Sequence, residues 1–143
     1  MSKREDVLSA ILQLVKDALP SADVGRNLDE PESIPPGGRG NIFDGDLTLL
    51  DVDLSPLTYN YEHNIPVDLL CYETAVLTRE QVLDAMLEAI GQAVEGDRTL
   101  GGLCDWLDLE PVNTENAAQS GAVPAKAGLF AFVAAYSTPN PLL

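Results

Sequence analysis

Basic residues are scarce: 8 Lys and Arg stand against 23 Asp and Glu, for a formal net charge of -15. Such a surface repels phosphate backbones, which argues against a nucleic-acid binder relying on counterion release, and it disfavours an anionic membrane. There is one histidine, and the two cysteines, Cys71 and Cys104, form no C-x-x-C pair, so a zinc set cannot be completed. Reduced, buried thiols in a cytosolic chain are the expectation from the compartment rule for disulfides. A long apolar run is missing too. Lys3 and Arg4 precede a short one, but Glu5, Asp6, Lys16 and Asp17 break it, which fits neither a signal peptide nor a membrane span.

The signatures of catalysis and ligand binding are also lacking. The run Gly37-Gly38-Arg39-Gly40 has no Lys-Ser/Thr and opens no helix, as a phosphate-binding loop requires. Asp44, Asp46, Asp51 and Asp53 lie close in sequence, but without the Gly and Glu offsets of an EF-hand loop. No G-x-S-x-G or Cys-His pattern accompanies His63, so a packed or rim histidine is expected there. The expectation is therefore no catalytic residue, no cofactor and no metal site. The alternative, a small enzyme or ligand-binding domain using His63 with Glu62 or Asp68, requires a pocket with perturbed titrating groups.

What is present is a long alternation. From Leu57 to Tyr72, Tyr59, Tyr61, His63, Ile65, Val67, Leu69 and Cys71 share one parity, and Thr58, Asn60, Glu62, Asn64, Pro66 and Asp68 the other. Period two predicts a strand with one apolar face. Pro66 cannot donate to a ladder, so it is expected at a free edge or a bulge. Two segments have the periodicity of amphipathic helices suited to cover that face. Val7, Leu8, Ile11, Leu12 and Val15 lie on one, with Ser2 as N-cap and Pro20 as stop; Val82, Leu83, Met86, Leu87, Ile90 and Val94 lie on the other, with a Thr78/Gln81 capping box and an end at Gly96.

The remaining strands are read at Ala22 to Leu28, Asn41 to Phe43, Leu103 to Leu109 and Lys126 to Ser137. Trp106 is expected as a core anchor, and the last strand carries apolar residues on both faces, which predicts cover on both. Asp44-Gly45 is a turn signal. Leu47 to Leu57 is read as a mobile acidic loop or ribbon and Asn113 to Ala125 as a long loop, both to be ordered by neighbouring molecules. At 143 residues the length suits one domain spanning 1–143. The fold class expected is α+β, a mainly antiparallel sheet with two helices on one face, in the order helix-strand-strand-strand-helix-strand-strand.

Three segments carry a family resemblance: SPLTYNYEHNIPVDLL at 55–70, DRTLGGLCDWLDLEP at 97–111 and AYSTPNPL at 135–142. They resemble the tail-terminator (tail completion, minor tail) proteins of long-tailed phages and gene transfer agents. The resemblance implies a structural virion protein, a homohexameric ring on the head-proximal end of the tail tube in the neck region. It would stop tube polymerisation, contact the tail tube protein and a head-completion or stopper protein, and let DNA pass without specific binding. On that reading Asp44, Asp46, Asp51 and Asp53 are candidates for the ring lumen or the tail contact. Arg26, Arg39, Arg79 and Arg98 are candidates for subunit contacts. The family offers no catalytic residues to carry over.

Overall fold

The computed structural model describes residues 1–29, 33–117 and 125–143. Along the chain run α1 (Lys3–Ala18), β1 (Asp23–Arg26), β2 (Arg39–Ile42), β3 (Asp46–Leu54), β4 (Leu57–Cys71), α2 (Arg79–Gly96), β5 (Trp106–Leu109), β6 (Asn113–Ala117) and β7 (Ala125–Thr138). The alternating stretch is β4, and β7 lies antiparallel beside it from Tyr59 opposite Thr138 to Cys71 opposite Lys126. Shorter strands flank this pair: β2 and β3 share the free side of β4, and β5 and β6 share that of β7.

Both helices start where their caps predict. The Ser2 hydroxyl accepts from the Glu5 amide at 3.2 Å, and the Thr78 and Gln81 side chains exchange hydrogen bonds with each other's backbone, satisfying amides that a helix start leaves orphaned. Val7, Leu8, Ile11 and Val15 of α1 and Leu83, Met86, Ile90 and Val94 of α2 join Ile65, Val67, Leu69, Phe132, Ala134 and Tyr136 in one buried cluster. The helices therefore cover a single face of the sheet. Leu12 and Val82 are only partly buried at its margin. At Gly128 the approach is so close that a Cβ would stand 2.9 Å from a Leu83 methyl.

The α+β class and the helices on one face are as expected, but the sheet is mixed because β1 runs parallel to β2. Parallel neighbours need a crossover, and the segment that leaves β1 lies against the outward side chains of β2. Asn41 bonds the backbone N–H and C=O of Leu28, and Arg39 donates to the Asp29 carbonyl. Those contacts hold Arg39 at 8% and Asn41 at 7% exposure although both point away from the helices.

Two strands were not expected. In β3 a bulge between Leu49 and Asp51 breaks the alternation, and β6 is a polar segment that becomes a strand by pairing with the edge of β7. Of the long loop expected at Asn113 to Ala125, residues 118–124 lie outside the described residues. Pro66 sits neither at a sheet edge nor in a bulge. Its carbonyl accepts from Phe43, in the gap where β2 has ended at Ile42 and β3 has not yet begun at Asp46. Nitrogen and carbonyl of a strand residue point the same way, so the missing N–H faces the interruption between β2 and β3, and the pairing gives up only the reciprocal bond to Phe43.

Two further expectations are corrected. Trp106 pairs with Ala135 and Leu107 with Ala134, so Leu107 enters the core and Trp106 turns outward, 53% exposed. The second face of β7 is not fully covered: Leu129, Val133 and Ala135 are half-buried. A hydrogen bond from Asn64 to Glu110 spans it beside Ala131, which is buried.

Candidate functional site

The β3–β4 ribbon is the part of the sheet that outruns the helices. Cross-strand register puts Leu47, Leu49, Val52 and Leu54 on one face with Leu57, Tyr59 and Tyr61; Asp46, Asp51 and Asp53 lie on the other with Thr58, Asn60 and Glu62. The bulge at Leu50 is what keeps the apolar row in phase, since one extra residue restores the parity that period two would have lost. Near its base this row joins the core at Tyr61. Toward the tip none of the described residues covers it, and Leu54 is 83% exposed. On the acidic face the Asn60 amide bridges Asp51 and Asp53.

At the ribbon's root Asp44 joins three elements. Its carboxylate accepts from Arg26 at 2.7 Å and Asn27 at 2.9 Å, with Arg4 at 3.5 Å. Arg26 also binds Glu5 at 2.6 Å, so β1, α1 and the turn before β3 are tied together. The Arg26 hydrogen bond holds both carboxyls below their ordinary range, helped at Asp44 by Asn27, and Arg26 is held more firmly protonated by Glu5 and then Asp44.

The Asp44 carbonyl also receives His63. Nε2 lies 2.7 Å from that oxygen and Nδ1 lies 2.9 Å from the Tyr136 hydroxyl. A carbonyl can only accept, so the proton is assigned to Nε2, and Tyr136 donates to Nδ1. The imidazole is fully buried. Burial pushes its pKa below the ordinary value, Arg4 adds to this, and the Asp44 carbonyl opposes it. Burial likewise pushes Tyr136 up to about 12.

This arrangement predicts an acid-sensitive fold. His63 binds its proton more readily in the unfolded chain, so its contribution is complete above the ordinary histidine pKa of about 6.5 and is lost as pH falls through that value toward the lower folded one. Asp44 and Glu5, also lowered, add a second loss as pH falls below the ordinary carboxylate range. Asp68 acts oppositely: burial and then Glu115 raise its pKa, so its contribution is lost as pH rises through the folded value. Urea midpoints should therefore fall between pH 7 and pH 5.5, the interval that spans the ordinary histidine pKa of about 6.5. An unchanged midpoint over that interval would refute the assignment.

The other arginines have separate positions. Arg39 is buried against Asp29, as above. Arg79 opens α2 and meets Glu80 at 3.1 Å. Arg98 lies with its guanidinium 4.9 Å from the Trp106 ring centroid, donates to the Leu107 carbonyl at 3.1 Å and approaches Asp108 at 3.4 Å. The structure does not bring His63 together with Glu62 or Asp68, because their parity sends them to opposite faces of β4. The stacked Trp106 and the apolar ribbon face were missed in the sequence. The parity of Leu107 and Leu109 against Trp106 and Asp108 carried the first signal, and the bulge concealed the second.

An open groove of about 540 Å³ lies between the helices, lined by Leu14, Ala18, Ala93 and Leu100 with Asp17 and Asp97. Among the described residues no three His, Cys, Asp or Glu are grouped to hold a metal ion. Cys71 and Cys104 are free and buried, and burial raises both thiols, Cys104 to about 11, away from reactive thiolates. No helix is long and apolar enough to cross a membrane among the described residues. Neither a family model nor a curated protein matches this chain.

Proposed function

We propose that this chain is a structural ring protein of a phage-like tail: six copies cap the head-proximal end of the tail tube, end its polymerisation and join tail to head. The observation that carries the reading is the ribbon. An apolar ribbon face that runs beyond the core and that none of the described residues covers, on a chain whose described titrating groups form no nucleophile-base pair, is a surface for assembly. The sequence resemblance at 55–70, 97–111 and 135–142 supplies the kind of assembly. The partners are other copies, the tail tube protein and a head-completion protein. A negative ring lets DNA pass without sticking, because like charge repels the phosphates.

Each copy carries -15, so ring closure works against repulsion. Screening relieves it: the Debye length falls from about 30 Å at 0.01 M salt to about 10 Å at 0.1 M. Sedimentation of the purified chain across a salt series should show a hexamer that strengthens as salt rises. A hexamer that weakens steadily would mean that charged patches attract more than the net charge repels. Co-sedimentation with tail tubes tests the function itself, and a chain that neither forms rings alone nor binds tubes sinks the proposal.

A further inference from the structure

The outer edge of β3 is unpaired. β3 bonds to β4 on one side only, and among the described residues no backbone bond runs from Asp46–Leu54 to any other segment. Along nine residues the N–H and C=O groups that turn away from β4 therefore have no partner among them. Every residue of the strand except Leu47 is exposed. Long edges are ordinarily blunted by lysine, proline or a covering segment. β3 has neither lysine nor proline, and its bulge at Leu50 leaves Asp46–Leu49 and Asp51–Leu54 in regular register on either side.

A strand laid on this edge sends its side chains alternately to the two faces of the ribbon, because its own period is two. On one face they meet Leu49, Val52 and Leu54; on the other they meet Asp51 and Asp53, which the Asn60 amide orients without neutralising. The sequence has no Lys or Arg between Arg39 and Arg79, so the occupant must bring the cations. A second copy does not supply them in that form: none of the described strands carries two basic residues.

We propose that the β3 edge binds, as an added strand, an extended segment of a different protein that alternates Lys or Arg with apolar residues. Main-chain bonds supply the affinity and the alternation supplies the specificity. The cations stand opposite Asp51 and Asp53, and the apolar side chains widen the row formed by Leu49, Val52 and Leu54. A single copy offers the whole edge, so the contact does not depend on ring closure.

The probe is a blocked peptide as long as β3, alternating lysine with valine, followed on the intact chain by fluorescence anisotropy and amide hydrogen exchange. It should bind one per chain and slow exchange of the β3 amides. A peptide of the same composition with its lysines and valines in separate blocks should bind about tenfold more weakly or worse. Methylating the backbone nitrogens of one alternate row should abolish binding, while methylating the other row leaves it, because only one row faces β3. Asp51→Lys combined with Asp53→Lys should reverse the preference in favour of a glutamate-valine peptide. Should circular dichroism show that this variant does not fold, the wild-type comparisons decide. Equal affinity for alternating and block peptides would reduce binding to attraction by net charge and overturns the added strand. So does protection that arises away from β3, or an alternating peptide that fails to bind at millimolar concentration. Peptide binding by a chain that never forms hexamers keeps this contact and sinks the ring; hexamers indifferent to the peptide do the opposite.

Discussion

Phe132→Ala will lower stability by about 3–5 kcal/mol, the cost of emptying a well-packed aromatic site. Phe132 is fully buried, lies opposite Ile65 where β4 and β7 pair, and makes an edge contact with Phe130 at 5.6 Å. Its neighbours are fixed by two ladders and the helix layer, so the site cannot collapse to refill the space. A small domain is held by only about 5–15 kcal/mol, and the melting temperature should drop by about 10 °C or more. Leu54→Ala removes a comparable side chain that is 83% exposed, and should change the monomer by no more than about 0.5 kcal/mol. Equal losses for the two, read from urea unfolding, would show that the core is not centred on β4 and β7.

Gly45→Ala is the second large effect, and it acts through backbone. Gly45 has φ 68, a left-handed conformation that costs an L side chain about 1–2 kcal/mol. A Cβ there would also overlap the Asn64 carbonyl, which is backbone and cannot rotate aside. Relief requires the turn to move, and the turn carries the Asp44 carbonyl bonded to His63 and the Asp44 carboxylate bonded to Arg26. A total loss of about 3 kcal/mol or more is expected, strain and a broken polar network together. The histidine should report it, its pKa rising toward the ordinary value as the buried site opens. Gly91→Ala is the control: nothing lies within 4 Å of its Cβ position in α2, and alanine should stabilise that helix by about 0.5–1 kcal/mol. If Gly45→Ala matches the control, the turn is not the rigid root described here.

The two helices, the central strand and the one-sided core were legible in the residues themselves. Caps at Ser2 and Thr78 act within one turn, and the alternation from Tyr59 to Cys71 puts each side chain on a face whatever its neighbours are. Such signals are local, and they determined the α+β class. The rest depended on residues far apart in the chain. Asn113–Ala117 has no strand character of its own and pairs because β7 offers an open edge. β1 runs parallel to β2, and Leu28 just after β1 bonds the outward-facing Asn41, an arrangement that no period reveals. The ribbon was hidden because one bulged residue inverts parity halfway along it, so its leucines align only once β4 is beside them. Asp44 belonged by spacing to an acidic run, yet Arg26 and Glu5, distant in sequence, draw it into the fold. Periodicity determines which face a side chain takes within an element; only tertiary pairing decides which faces remain uncovered, because cover is supplied by other elements.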